Sequence, residues 1–511
     1  MVWSMFENRL ITNGKKPNAE GDYILYWMIS NRRTIDNHSL ELAISLAKEH
    51  DLPLYVIEPI AVNHHYSSKR LHYFVIGGMV DNYYAFKETP ICYCSYIEKY
   101  DKEGSGVFKA WMEKAKITIT DHHPTYLPKY VGEYALEENE HLSILVNSNS
   151  IIPVNLIDRD FKSAYQLRRW IHKNIENLMS EFSTKYPLQD LSGLVPAHKE
   201  KAEEIFAQTK ARISPWDFVW RCALDDEAIR EQAFKTVQLN MDVPEIEEVR
   251  GGEQQALNLL RNFVKKIDKY SEERRNLQPG YTSALSPYLH FGHISPITVV
   301  RTVLNSYKWK IEQANPEFLG KSEGWWGLKE GVEGFLDQVI TWREIGFAYC
   351  TNHKDHLDYQ SLPEWARKSL AEHTSDQRPY TYTYEQLENA QTHSELWNAC
   401  QNQLRKEGII HNYMRMFWAK KILEWTPNPE TGYEYALDLN DKWALDGRDP
   451  NSYSGVGWTF GRFDRPWFER EVFGKIRYMS ENSLRKKIDV NQYINKYNNK
   501  TLTSSRAPYK N

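Results

Sequence analysis

Between Tyr23 and Val154, short apolar runs alternate with stretches of helical period; beyond about Lys201 the apolar runs disappear and helical period dominates. Residues 23–28, 52–57, 91–95, 117–120, 144–146 and 151–154 read as strands, and 37–50, 71–85 and a segment around Trp111 as helices. Strands alternating with helices specify a parallel sheet with helical crossovers. The expected fold is therefore α/β plus all-α: an N-terminal parallel, Rossmann-like α/β domain followed by a helical domain. Residues 1–20 are polar and read as a flexible N-terminus. Residues 21–180 hold the α/β domain, and 181–205, with Pro187, Gly193 and Pro196, an interdomain linker. Residues 206–492 form the helical domain and 493–511 a basic tail.

A chain of 511 residues is long enough for two or three full cores. No apolar run approaches the ~20 residues of a membrane span. The start, MVWSMFENRL, lacks the basic and apolar blocks of a signal peptide, so the expected location is cytoplasmic. Five scattered cysteines suit a reducing compartment rather than a disulfide framework. Cys92 and Cys94 share one face of a strand and read as core. The net charge of −4 means that a nucleic-acid partner would need a local basic patch. His353 and His356 form an HxxH pair without a third ligand, and His122-His123 project apart and read as loop or surface, so no metal site is expected.

Met414, Trp418, Ile422 and Trp425 recur at helical spacing ahead of Pro427. Residues 437–443 read as a further short helix and 446–451 as a polar turn. Arg415 lies beside the apolar stripe, and a buried arginine there needs a carboxylate, which Asp446 or Asp449 offers. Trp418 and Trp425 are seven residues apart, roughly 10 Å along a helix axis. From the residues alone that pair is ordinary core. Thr282 and Ser283 are N-cap candidates for a helix start, which is either a plain cap or an anion site suited to a pyrophosphate. Residues 335–345 read as a strong helix that places Gln338 and Trp342 on one face at i, i+4.

The strings RMFWAKKILEW, LDGRDPN and VFGKIRYM together resemble the flavin domain of the photolyase/cryptochrome family, most closely class II cyclobutane pyrimidine dimer photolyases. A weaker likeness runs from about Tyr23 to about Gln492. The resemblance implies FAD as cofactor. Thr282, Ser283, Ala284, Leu285 and Ser286 would take its diphosphate, with Tyr270 twelve residues before Thr282. Arg343 would reach the flavin, Arg415 and Asp446 would pair over the isoalloxazine with Gly447 in the same turn, and Asn440 would lie beside flavin N5. Trp418, Trp397 and Trp425 would form an electron wire in that order, ending with Trp425 at the surface.

By the same resemblance, Trp342, Met416, Trp458 and Trp467 would line a lesion pocket, with Arg465 and Lys475 on the DNA side. Arg462, Arg470 and Arg477 add local positive charge. The implied partner of the monomer is UV-damaged DNA, and the implied reaction is light-driven splitting of pyrimidine dimers. The α/β domain would carry an antenna chromophore (deazaflavin, folate or flavin) at the carboxyl ends of its strands, near residues 28–31 and 121–124. Two departures keep alternatives open. Gln338 stands where class II enzymes usually carry glutamate, and the Trp458–Trp467 interval is one residue short, with residues 459–463 replacing a cysteine-containing loop. Both favour a cryptochrome-like photoreceptor without repair activity, or an enzyme for another lesion.

Overall fold

The computed structural model describes residues 6–277, 280 and 282–498. Two compact units separate by packing. The first runs to Ser271 and takes in Ser283–Lys354 and Arg448–Asn451; the second holds Glu272–Thr282, Asp355–Gly447 and the residues from Ser452 onward.

The first unit is built on a sheet of β1 (Leu10–Thr12), β2 (Ile24–Trp27), β3 (Leu54–Ile60), β4 (Cys92–Ile97), β5 (Ile117–Asp121) and β6 (Ser143–Val146), in the order β1-β6-β5-β2-β3-β4. β1 is antiparallel to β6, and the other neighbours are parallel. Central β2 is buried on both faces, as parallel strands under helices are. Ile24 and Tyr26 pack with α1 (His38–Glu49) on one side, while Tyr23, Leu25 and Trp27 pack with Trp111 and Phe206 on the other. The crossovers are α1, α2 (Lys69–Phe86), α3 (Val107–Lys114) and α4 (Tyr126–Glu138); α5 (Ala164–Ser180) follows. Asn37 caps α1 by accepting from the Leu40 N–H at 3.1 Å, and Ser163 caps α5.

Two sequence expectations are corrected by one residue. The N-terminus was expected to be flexible, yet Leu10–Thr12 form a strand and Phe6 is 2% exposed. Residues 151–154 were expected to be a strand, but they form a loop ending in a 3₁₀ turn, Val154–Leu156. Arg9 accounts for both. Its buried guanidinium donates to the carbonyls of Asn147 (3.2 Å), Ser150 (3.0 Å) and Ile151 (2.9 Å). An arginine that satisfies loop carbonyls removes the need for a sheet partner.

The five cysteines are buried and free, and the Sγ atoms of Cys92 and Cys94 lie 3.8 Å apart on one face. In the second unit the described residues form helices and no named strand. The expected helix at 437–443 is the C-terminal half of a fifteen-residue helix, Pro429–Trp443. Asn428 caps it through the Thr431 N–H (2.8 Å), with proline in the first turn. Gly432 and Thr431, both weak helix formers, hid its first half.

Candidate active site

In the first unit the expected helix over 335–345 is interrupted. Glu330–Leu336 and Arg343–Asn352 are α-helical, but Asp337–Trp342 form a π-helical turn. Such widened turns cluster at functional sites. Here the turn carries Gln338 and Trp342, both half-buried, and delivers Arg343 at its end. The turn is anchored at its start by a buried ion pair: Arg168 donates to the Asp337 carboxylate at 2.7 and 3.0 Å, and to the Gly320 carbonyl at 3.1 Å. Arg343 is buried, its guanidinium 4.2 Å from the Phe347 ring centre and 3.1 Å from Glu344. Its Nη2 is buried without a hydrogen-bond partner. Tyr270 is half-buried against Phe263 and Phe335.

The cap expected at Thr282 or Ser283 does not form. The helix is short, Ser286–His290, its N-cap position is Leu285, and no side chain caps it. Ser283 Oγ accepts instead from the Leu285 N–H at 3.4 Å, and Ala284 lies at φ +55°. Pro287 in the first turn removes a donor that a cap would otherwise serve. Leu285 is buried and Ser286 exposed.

The two carboxylates of the 446–451 turn divide their work. Asp449 does not serve an arginine; His290 Nδ1 lies 3.2 Å from its Oδ2, and Asn451 donates to Oδ1 at 2.8 Å. Burial pushes the Asp449 carboxyl up, but the bond from His290 and the positive groups around it outweigh burial and hold it far below the usual range. This partner lies 159 residues away in the sequence.

At the strand ends, Asp121 is saturated. Its Oδ2 accepts from the N–H groups of Ile29, Ser30 and Asn31 (2.8–2.9 Å), and Oδ1 from Tyr26, Ser39 and Asn31 side chains (2.7–2.8 Å). That carboxylate organises the loop after β2. His123 lies in a loop as expected but is buried, not at the surface.

The second unit holds the tryptophans. Trp397 and Trp418 are stacked, 6.4 Å apart at 6°, and Trp397 meets Trp425 edge-on at 5.8 Å. Trp397 Nε1 donates to the Trp418 carbonyl (3.0 Å) and Trp418 Nε1 to Gln401 (2.8 Å), so both rings are held in orientation. Trp397 thus touches both Trp418 and Trp425. Trp425 departs from expectation: it is 3% exposed, because Tyr382 and His393 pack over it.

Arg415 Nη2 donates to Asp446 Oδ1 at 2.8 Å, the pairing anticipated from the turn. Asn440 is buried, its amide donating to Asp441 at 3.2 Å. Gly447 is required by close approach: a Cβ there would lie 2.8 Å from the Asn440 carbonyl. Thr282 is exposed and Met416 half-buried.

Of the exposed cations, Arg465 and Arg477 lie over the Trp467 ring, the Trp467 backbone N–H donates to the Lys475 carbonyl at 2.8 Å, and Arg470 lies over the Tyr478 ring at 5.2 Å. The Arg477 guanidinium lies 4.9 Å from the Trp467 ring centre and 5.7 Å from that of half-buried Trp458, linking the two. Arg462, expected in this patch, is buried.

Lys420 is a functional-type group that the sequence did not single out. It is fully buried, donates to the Thr459 carbonyl, and lies 5.6 Å from the Trp458 ring centre. Burial pushes its ammonium down from 10.5 to about 7. Between about pH 7 and 10.5 the unfolded chain therefore binds the proton more readily than the folded one, and stability rises with pH across that window. Lys420→Met is expected to flatten the rise and to stabilise the protein at pH 7 by about 1–4 kcal/mol. Denaturant titrations of both proteins at several pH values check this; equal slopes would refute it.

The fold is that of photolyases and cryptochromes. A crystal structure of a bacterial class III photolyase from Agrobacterium tumefaciens matches with a TM-score of 0.62 at 14% identity, covering 94% of this chain and 87% of that one. The Synechocystis cryptochrome structure matches with a TM-score of 0.63 at 14% identity, covering 93% and 88%. No protein-family model matches the chain. The deoxyribodipyrimidine photo-lyase of Methanothermobacter thermautotrophicus is 31% identical over 487 residues, 95% of this chain and 96% of its own. Those of Oryza sativa (31% over 500 residues; 94% and 88%) and Potorous tridactylus (29% over 505; 96% and 84%) are similar over comparable spans. This chain belongs to the photolyase/cryptochrome family.

Proposed function

We propose that the protein is a light-driven DNA-repair flavoenzyme that splits UV-induced pyrimidine dimers, a carbon–carbon lyase of the class II type. The observation that carries this reading is the contiguous Trp418–Trp397–Trp425 series, in the same compact unit as the Arg415–Asp446 pair. FAD, when bound, supplies the one-electron redox chemistry. The residues suit it. Arg343 keeps a buried, unpartnered guanidinium nitrogen able to donate to an acceptor of the cofactor, and Arg415–Asp446 offers a partly buried charged pair. Asn440 would hold an amide beside the redox-active ring, and Tyr270, Thr282 and Ser283–Ser286 would take the diphosphate.

Trp342, Met416, Trp458 and Trp467 would receive the flipped lesion. Removing it from the duplex costs a few kcal/mol, which stacking and the phosphate contacts of Arg465 and Lys475 would offset. Residues 21–180 would form the antenna-type domain, with deazaflavin, folate or flavin as the second chromophore, ahead of a linker at 181–205. The protein would act as a cytoplasmic monomer; no helix among the described residues is long and apolar enough to cross a membrane.

Gln338 supports a second reading, a photoreceptor or an enzyme for another lesion, because an amide hydrogen-bonds a dimer radical anion but supplies no acidic proton. The test is loss of a defined thymine dimer under blue light by the photoreduced protein and by Gln338→Glu. Native repair is expected, about fivefold faster in the variant, the worth of roughly 1 kcal/mol in one hydrogen bond. Absence of repair in both, with FAD still photoreducing, would shift the assignment to the second reading.

A further inference from the structure

The tryptophan series stops short of the surface. Trp425 is 3% exposed, so a hole that reaches it meets protein rather than an external reductant. Two residues bridge the remaining distance. The Tyr382 ring meets Trp425 edge-on at 5.5 Å and 73°, and the Tyr382 N–H donates to the Trp425 carbonyl at 3.1 Å. The Tyr382 phenol is 2.7 Å from His393 Nδ1. The backbone N–H of His393 donates to the same phenol oxygen at 3.0 Å, which leaves the phenol its own O–H to donate to Nδ1. His393 is exposed and stacks on Tyr380 at 3.7 Å, itself 47% exposed.

We propose that Tyr382 is the terminal electron donor of the series and that His393 accepts its proton. A phenol is oxidised readily only if its proton leaves with the electron, and a base within 2.6–3.2 Å is the required geometry. The inference rests on the flavoprotein reading above: the oxidant is photoexcited oxidised flavin, with the hole passing through Trp418 and Trp397 to Trp425. In the step proposed, one electron moves from the Tyr382 ring to the Trp425 radical cation, and the phenolic O–H bond breaks with its proton going to His393 Nδ1. The products are neutral tryptophan, a neutral tyrosyl radical and an imidazolium. One electron and one proton are exchanged, and total charge is conserved.

Several groups bear on His393. Partial burial and the nearby Lys421 push its imidazole down, while Glu481 and Glu424 pull it up; the net direction is down, so the ring is a neutral base at pH 7. The tyrosyl would be half-buried beside exposed His393, nearer to an external reductant than buried Trp425, and its return of charge to the flavin would be slowed by the need to recover a proton.

The experiment is transient absorption after a blue flash on the FAD-loaded full chain, comparing native, Tyr382→Phe and His393→Gln. The amide of the last keeps a hydrogen-bond acceptor but takes no proton. FAD content and melting temperature verify that the variants fold. In native protein a tryptophan radical cation should give way to a tyrosyl signal, more slowly in D₂O. Tyr382→Phe should lose the tyrosyl signal and keep the tryptophan one, and His393→Gln should behave the same way. A tryptophan radical in native protein with no tyrosyl after it overturns the proposal, as does a tyrosyl formed at native rate in His393→Gln. Native protein that binds no FAD, or yields no tryptophan radical, overturns the flavoprotein reading itself.

Discussion

Trp397→Phe is expected to slow photoreduction of bound FAD by at least about tenfold, equivalent to some 1.4 kcal/mol of barrier. Trp397 is the ring that touches both neighbours, stacked on Trp418 at 6.4 Å and edge-on to Trp425 at 5.8 Å. Without it the two remaining indoles are two helical turns apart, roughly 10 Å along the axis. Phenylalanine keeps the apolar contact but is far harder to oxidise, so the gap becomes one long transfer rather than two short ones. The variant also loses the indole bond to the Trp418 carbonyl, at a cost of about 1 kcal/mol. The measurement is the rate of flavin bleaching under continuous blue light with an external thiol, at matched FAD content. Repair by chemically reduced protein should be nearly unchanged, because that reaction does not draw on the wire. Photoreduction at native rate would remove Trp397 from the path and demote the stacked rings to core.

Asp337→Ala is expected to destabilise the protein by about 3–5 kcal/mol, the cost of leaving one buried charge without its partner. The Arg168 and Asp337 side chains are each 10% exposed and joined by two short bonds, so solvent screens the pair little. The remaining partner, the Gly320 carbonyl at 3.1 Å, cannot neutralise the guanidinium. Chemical denaturation measures the loss. A second variant separates charge from packing: Arg168→Met combined with Asp337→Leu should recover most of the stability, since an apolar pair of similar volume is often neutral. A loss below about 1 kcal/mol in Asp337→Ala would show that the pair is screened as surface pairs are. Because Asp337 opens the turn that carries Gln338 and Trp342, dimer repair should fall even where the variant remains folded.

Periodicity reports which face of a segment is buried, and this was enough to read β2 to β6, the helix Asn412–Trp425 and the change from α/β to helical structure. Charge chemistry was enough to pair Arg415 with the 446–451 turn, because a half-buried arginine requires a carboxylate and the turn offered two; the structure chooses Asp446. What tertiary structure alone decided involves partners distant in sequence. Arg9 takes carbonyls about 140 residues away and turns an expected strand into a loop. Asp449 takes His290 rather than an arginine. The π-turn at Asp337–Trp342 has the same composition as an α-helix, and the buried Arg168–Asp337 pair lies at its start. Trp425 has the spacing of a core residue and the role expected of a surface one; only the packing of Tyr382 and His393 over it decides between them. Local pattern carries no record of which distant side chain will satisfy a buried polar group, and that choice shapes the candidate site.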